Sequence, residues 1–114
     1  MTRSDTERVH DILDACDKLV EIAALGRAEY DRSWILQSAA ERQLEIIGEA
    51  MANLSTDFFG DDDKLPIRQA KGLRSVISHE YFRLHRDRVW NVVENRIPQL
   101  LSDLADYRDQ EPGA

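Results

Sequence analysis

The chain has 114 residues, which predicts one helical domain over residues 1–114 with an ordered core from about 5 to 107. Hydrophobic residues make up 42% and charged residues 32% of the sequence, a composition typical of globular proteins and not of disordered ones. No apolar run approaches the roughly 18–20 residues of a membrane span, and the N-terminal segment lacks the apolar centre of a signal peptide. We therefore expect a cytoplasmic protein without a membrane partner.

Charge is distributed unevenly along the chain. In total, 15 Lys and Arg stand against 22 Asp and Glu, which gives a net charge of -7. Residues 64–88, however, hold seven Lys and Arg and two acidic residues, so this window carries +5 and the remainder carries -12. Because the overall field repels nucleic acid, any polyanion must bind a local basic patch. The alternative is a basic face that balances acidic neighbours within a helical bundle.

Two helices are predicted in the first half of the chain, from apolar residues that recur at three- and four-residue steps. The first has Gly26 as its stop, and the second begins after Asp31 or Ser33, either of which could cap it. The stripe of the first helix is Val9, Ile12, Leu13, Cys16, Leu19, Val20 and Ala23. The stripe of the second helix is Leu36, Ala40, Leu44, Ile47, Met51 and Leu54. Cys16, the single cysteine, is therefore predicted to lie in the core.

An acidic, turn-rich linker over residues 55–64 follows, and we expect Phe58 and Phe59 to pin it to the bundle. A third helix is predicted to begin near Pro66, because the missing amide hydrogen of proline costs nothing in a first turn. Its predicted buried residues are Ile67, Ala70, Leu73, Val76 and Ile77.

A fourth helix is predicted from about Arg86 to Tyr107. Pro98 lies inside it and should kink or split it, since proline removes one backbone hydrogen bond. Its predicted inward-facing residues are Val89, Trp90, Val93, Ile97, Leu100, Leu101 and Leu104. No alternating strand pattern is present in the sequence. The predicted fold class is therefore all-α, an antiparallel four-helix bundle.

The run RSVISHEY at residues 74–81 carries the best candidate for chemistry. His79 could act as a general acid or base on an RNA 2′-hydroxyl, while Arg74 would hold the neighbouring phosphate. On a straight helix these two side chains point roughly 140° apart, because each residue turns the helix by ~100°. They can share a site only if the helix ends or distorts near Ser78, or if a second chain completes the site. The alternatives are a helix-end histidine held by hydrogen bonds, and rim packing for Tyr81.

Two separated segments resemble the HepT-like branch of the HEPN superfamily. One is GLRSVISHEYF at residues 72–82, with Val-Trp at 89–90 and Ile-Pro-Gln-Leu at 97–100 downstream. The other is AERQLEIIGEA at residues 40–50, and the resemblance extends over about residues 5–105. It implies a homodimeric helical bundle acting as a metal-independent endoribonuclease toxin on RNA, with no cofactor. Its partner would be a minimal nucleotidyltransferase antitoxin encoded next to it.

The resemblance also implies roles for individual residues. Arg74 and His79 would be the catalytic pair, and the dimer would bring two motifs into one cleft. Tyr81 would accept AMP from the antitoxin, and the added negative charge would compete with RNA for the arginine. The residues that we predict to bind substrate around this pair are Lys71, Ser75, Ser78 and Arg83.

Two positions depart from the family pattern. Ser75 follows the arginine where HEPN ribonucleases often have Asn, Asp or His, and His85 stands where relatives often have an acidic helix cap. An acidic stripe on the second helix either pairs with the motif cations or forms a solvated ridge; it consists of Glu41, Glu45 and Glu49. Three functions stay open at this point: an RNA-cleaving toxin, a non-catalytic module that docks the nucleotidyltransferase and is modified by it, and a dimeric nucleotide-binding bundle.

Overall fold

The structure, a computed structural model, describes residues 4–55, 58, 65–79 and 82–109, with side chains left undescribed over 65–71. The helices are α1 (Asp5–Ala24), α2 (Arg27–Arg32), α3 (Trp34–Ala52), α4 (Leu65–Ser78), α5 (Arg86–Asn91) and α6 (Ile97–Asp103). A π turn (Val92–Arg96) joins α5 to α6, and 3-10 turns lie at Phe82–Leu84 and Ala105–Tyr107. Within these ranges there is no β-strand, which confirms the predicted all-α class.

Serine caps begin the two long helices, α1 and α3. The Ser4 hydroxyl accepts a hydrogen bond from the Glu7 backbone N–H at 3.1 Å, and the Ser33 hydroxyl accepts one from the Leu36 N–H at 3.2 Å. These bonds satisfy amide groups that the first turn of a helix leaves unpaired. Ser33 is therefore the cap of α3. Gly26 follows the end of α1 with a φ of 91°, a conformation that glycine adopts without strain.

The short helix α2 is absent from the sequence prediction. Its six residues contain one large apolar side chain, Tyr30, so there is no apolar period to recognise. Tyr30 is 1% exposed and packs on Trp90 of α5, with ring centroids 5.1 Å apart. The Gln37 side-chain amide of α3 donates to the Tyr30 carbonyl at 2.9 Å. These contacts join α2 to both α3 and α5.

The core lies between facing stripes of α1, α3 and the α5–α6 segment, and α4 contributes to it. Most of the predicted inward positions are buried, among them Val9, Ile12, Leu13, Cys16, Leu19, Ala40, Leu44, Ile47, Leu73, Val89, Trp90, Val93, Ile97, Leu100 and Leu104. The prediction is wrong at Val20 and Val76, which are 40% and 37% exposed. Val20 follows the buried Leu19 and lies ~100° from it around the helix, while Val76 lies three residues and ~60° from the buried Leu73, so each falls toward the edge of its stripe.

The position of α4 depends on a close approach to α3. A Cβ added at Gly48 of α3 would lie 3.3 Å from the Ile77 Cγ2 atom, which is tighter than most such contacts. On the other side, a Cβ at Gly72 would lie 3.8 Å from the Arg96 guanidinium. Leu73, next to Gly72, is 2% exposed and belongs to the core. Glycine at position 48 therefore allows the motif helix to pack directly on α3.

Pro98 interrupts the fourth predicted helix, as expected, but the change in hydrogen bonding lies on its N-terminal side. The Ile97 N–H donates to the carbonyl of Val92, five residues back, where an α-helix would use the residue four back. Proline has no N–H to donate, and helices commonly distort next to it, here as a π turn. The chain then closes on α1 through Arg108, which donates to the Asp17 carboxylate at 3.0 and 3.1 Å.

The linker is held at one described point. Phe58 packs on Tyr107 with ring centroids 5.1 Å apart, so the predicted pinning of the linker by Phe58 is confirmed. Phe59 lies outside the described residues, as do the side chains of Ile67 and Ala70. No helix in the described ranges is long and apolar enough to cross a membrane.

Candidate active site

The motif arginine lies on an exposed face of α4, one turn before the helix ends. Arg74, Ser75 and Ser78 are all exposed. Within the part of the chain that the structure describes, Arg74 forms no ion pair. The acidic stripe of α3 does not reach it, and Glu45 instead contacts Arg42 at 3.4 Å. The Arg74 guanidinium is therefore available to an anion from solution.

The end of α4 falls between the arginine and the histidine. Ser78 is the last helical residue, and the His79 N–H donates to the Val76 carbonyl, three residues back, at 3.3 Å. Such a tightened turn is common where an α-helix ends. The His79 side chain is exposed, and its direction is no longer set by the helix. The helix thus ends at Ser78, which meets one of the two conditions under which Arg74 and His79 could share a site.

Phe82 anchors the chain where it leaves the motif. It is 2% exposed, and its N–H donates to the His79 carbonyl at 3.0 Å, so the chain is held in the core again at residue 82. Arg83, the next residue, is exposed. Tyr81, the predicted AMP acceptor, lies outside the described residues, and so does the side chain of Lys71.

Two cavities lie beside the turn at Phe82–Leu84, which follows α4. The smaller has a volume of about 220 Å³ and is lined by Glu41, Leu44, Glu45, Ile77, Phe82 and Arg83. The larger has a volume of about 610 Å³ and is lined by Arg27, Tyr30, Asp31, Gln37, Glu41, Arg83, Leu84, His85, Arg86, Asp87, Arg88 and Val89. We call the larger cavity the arginine groove. Arg83 and Glu41 line both cavities, whereas Arg74 and His79 line neither.

Some of the charges in the arginine groove neutralise one another. Arg27 donates to the Asp31 carboxylate at 2.9 Å and also pairs with Asp87, while Arg86 approaches the Asp31 carboxylate at 3.9 Å. The hydrogen bond from Arg27 lowers the pKa of the Asp87 carboxyl below its ordinary value. Arg83 and Arg88, in contrast, are exposed and form no ion pair with any described residue.

The floor of the arginine groove is apolar and aromatic. Tyr30 and Val89 are each 1% exposed there, and the Arg27 guanidinium lies 6.0 Å from the centre of the Trp90 ring. Burial, with a smaller contribution from the charge of Glu41, raises the pKa of the Tyr30 hydroxyl above its ordinary value. Tyr30 is therefore a neutral side chain at physiological pH.

Sequence reasoning found only part of this surface. The basic window indicated Arg83, Arg86 and Arg88, but Arg27 comes from α2, which the apolar pattern does not reveal. His85, the position that departs from the family pattern, stands at the N-cap of α5 and its side chain makes no capping hydrogen bond. No group of three or more His, Cys, Asp or Glu arranged to hold a metal ion occurs among the described residues.

The structure is a small helical bundle in which α4 ends between Arg74 and His79. These features can be compared with those of known protein families. Residues 12–106 match the profile of the family described as Ribonuclease HepT-like. The match spans most of the chain, and the chain therefore belongs to this family of ribonucleases. The family predicted from the two sequence segments is confirmed.

Individual relatives agree with this assignment. The chain is 31% identical over 101 residues to "Putative RNase TTE0752" of Caldanaerobacter subterraneus subsp. tengcongensis, covering 88% of this chain and 90% of the relative. It is also 31% identical over 101 residues to "Probable ribonuclease HepT" of Thermococcus cleftensis, covering 88% and 92%. A third relative, "Putative RNase MJ1380" of Methanocaldococcus jannaschii, is 26% identical over 106 residues, covering 91% and 97%. No solved structure matches the chain at a comparable level of significance.

Proposed function

We propose that this protein is a metal-independent endoribonuclease, the toxin of a toxin–antitoxin pair, with Arg74 and His79 as its catalytic residues. The observation that carries the proposal is the end of α4 at Ser78. It places the histidine beyond the last helical turn, and one turn earlier the exposed Arg74 forms no ion pair with any described residue. Membership of a ribonuclease family supplies the substrate class.

The proposed reaction is a transesterification within the RNA chain. The 2′-oxygen forms a bond to the adjacent phosphorus, and the bond from that phosphorus to the 5′-oxygen of the next nucleotide breaks. One histidine accepts the proton of the 2′-hydroxyl, and a protonated histidine donates a proton to the departing 5′-oxygen. Arg74 donates hydrogen bonds to the non-bridging phosphate oxygens, whose negative charge grows in the transition state. A homodimer would supply the second His79.

Four neighbours of the catalytic pair are proposed to bind the substrate: Lys71, Ser75, Ser78 and Arg83. Ser78 lies four residues after Arg74, so the two share one face of α4. Arg74 and Ser78 are exposed, which suits contact with a phosphate. Arg83 borders both cavities beyond the end of α4. Hydroxyl groups and arginines on phosphates position the nucleic acid without reading its bases.

The test is RNA cleavage by the purified protein in the presence of EDTA. We expect Arg74→Ala and His79→Ala each to lower the cleavage rate by roughly 10²–10⁴-fold, the usual contribution of such groups. Matched controls are Arg32→Ala, an exposed arginine of α2, and His10→Ala, a half-exposed histidine of α1; both should cleave like the parent. If the His79→Ala protein is folded by circular dichroism and cleaves as fast as the parent, the catalytic assignment is wrong.

We further propose that a minimal nucleotidyltransferase antitoxin silences the protein by transferring AMP to Tyr81. The tyrosine oxygen would attack the α-phosphorus of ATP, pyrophosphate would leave, and the hydroxyl proton would pass to a base. An AMP group on Tyr81, six residues after Ser75 and seven after Arg74 in the sequence, would bring phosphate charge to the motif and compete with RNA there. The resemblance in sequence supports this role.

This regulation can be tested with α-labelled ATP and the nucleotidyltransferase encoded beside the gene. We expect labelling of the parent and of Tyr107→Phe, whose tyrosine packs on Phe58, and no labelling of Tyr81→Phe. Label on Tyr107 in place of Tyr81 would contradict the assignment. Labelling of a parent protein that cleaves no RNA would favour the second function, a non-catalytic module that docks the nucleotidyltransferase.

A further inference from the structure

We infer that the arginine groove, together with Trp34 at its edge, binds the single-stranded RNA that flanks the cleaved bond. This inference deepens the proposed function and depends on it for the nature of the ligand. It assigns a binding surface to residues outside the Arg-x4-His motif. Three features of the structure carry it: the two groove arginines that form no ion pair with any described residue, an exposed tryptophan on the same helix face, and the continuity of the groove with the motif helix.

The first feature is a pair of arginines, Arg83 and Arg88. Arg27 and Arg86 have carboxylate partners in the groove, but Arg83 and Arg88 have none among the described residues. Both face a cavity of about 610 Å³, a volume within the range of sites that hold small ligands. In a chain with a net charge of -7, unpaired arginines at a cavity are where a polyanion is attracted.

The second feature is Trp34, the first residue of α3, which is 73% exposed. Gln37 and Glu41 of the same helix line the groove. Residues seven apart return to within ~20° of one direction, and each rises ~1.5 Å, so Trp34 lies on the groove face about 10 Å beyond Glu41. An indole so exposed gains little from the core. It can serve as a platform on which an unpaired base stacks.

Leu84 is a second exposed apolar side chain at the groove. It is 73% exposed and lines the cavity between Arg83 and Arg86. The groove therefore combines cations for a phosphate backbone with exposed apolar surfaces for bases. This combination is typical of sites that bind single strands without strong sequence preference.

The third feature connects the groove to the motif. Arg83 and Glu41 line both cavities, and the smaller cavity reaches Ile77 of α4, two residues before His79. A strand with its reactive phosphate at the helix end can therefore continue past Arg83 into the groove. Tryptophan and arginine are also common at protein interfaces, which makes a second copy of the chain the competing occupant.

The experiment measures binding separately from cleavage. Fluorescence anisotropy would give the affinity of the full chain for a fully 2′-O-methylated single strand, which cannot react, of about ten nucleotides and of about four. We expect Trp34→Ala to weaken binding of the longer strand by roughly five- to hundred-fold, with Trp34→Phe close to the parent. Arg83→Ala and Arg88→Ala should each weaken binding and reduce the slope of log affinity against log salt by about one.

A control variant tests whether the loss of binding is specific to the groove. Lys18→Ala removes an exposed cation of α1 outside the groove and should leave the affinity unchanged. If the Trp34→Ala and Arg88→Ala variants bind the longer strand as tightly as the parent, the groove does not bind RNA, even where cleavage is intact. If Trp34→Ala instead lowers the molecular mass seen by light scattering at unchanged RNA affinity, the surface belongs to a second copy and the inference is wrong. If the parent binds RNA through the groove but cleaves none, the proposed ribonuclease activity is wrong and the inference about the groove stands.

Discussion

A buried thiol shows how strongly the core controls the chemistry of single residues. Cys16 is 0% exposed in the middle of α1. Burial, with a smaller contribution from Asp17 and an opposing one from Arg108, raises the pKa of the Cys16 thiol from 9.0 to about 12. Because the thiolate is the reactive form of cysteine, the native protein keeps this residue inert at neutral pH.

This residue gives a prediction for pH dependence. Between the unfolded pKa of 9.0 and the native value of about 12, the unfolded chain loses the thiol proton and the native protein keeps it. Stability should therefore fall as pH rises through this window, by up to about 1.4 kcal/mol per pH unit from this group alone. Urea unfolding from about pH 8 to about pH 10.5 should show a shallower decline for Cys16→Ala than for the parent. Parallel declines would contradict the assignment.

Element boundaries in this protein depend on short polar side chains as much as on apolar periodicity. Ser33 separates α2 from α3 by capping the longer helix, and Gly26 separates α1 from α2 with a positive φ. The Ser33 cap also fixes the start of α3, on which Trp34 is the first residue. Its geometry therefore matters for the groove as well as for stability.

We predict that Ser33→Ala lowers the free energy of unfolding by about 1 kcal/mol, because the Leu36 amide loses its hydroxyl acceptor. Ser38→Ala is the matched control, since this serine lies exposed within the same helix, where alanine is the better helix former. It should leave stability unchanged or slightly raised. Urea unfolding monitored by circular dichroism compares the two, and equal losses would mean that the cap contributes nothing specific.

At the scale of the whole molecule, charge is unevenly distributed along the chain, and the groove collects arginines from distant parts of it. The chain carries -7 overall, but residues 64–88 carry +5 and supply three of the four arginines that line the groove. The fourth, Arg27, joins them through the packing of α2 on α3 and α5. A basic patch on an acidic protein attracts RNA locally while the rest of the surface repels it.

The parts of the fold that could be predicted from the sequence are those in which apolar residues recur at helical spacing. The stripes of α1, α3 and the fourth helix are long and regular; most of their members are buried, and the rest, except Val20, are partly buried. Helix α2 could not be predicted, because its single large apolar residue, Tyr30, finds its partner Trp90 sixty residues away. The helix end at Ser78 is one of two arrangements, with a second chain as the other, that the ~140° between Arg74 and His79 allows for a shared site. The groove could not be predicted, because it depends on long-range packing.

The glycine contact between α3 and α4 has a consequence for how the protein responds to its ligand. Among the described side chains of α4, Leu73 alone is buried, and Ile77 is held against Gly48. Elements of a fold open locally at free-energy costs that range from near zero up to that of global unfolding. A strand of RNA lying across α4 and the groove would raise the free-energy cost of opening α4, since ligands stabilise the state that binds them. Slowed amide hydrogen exchange in α4 would then report occupancy of the site.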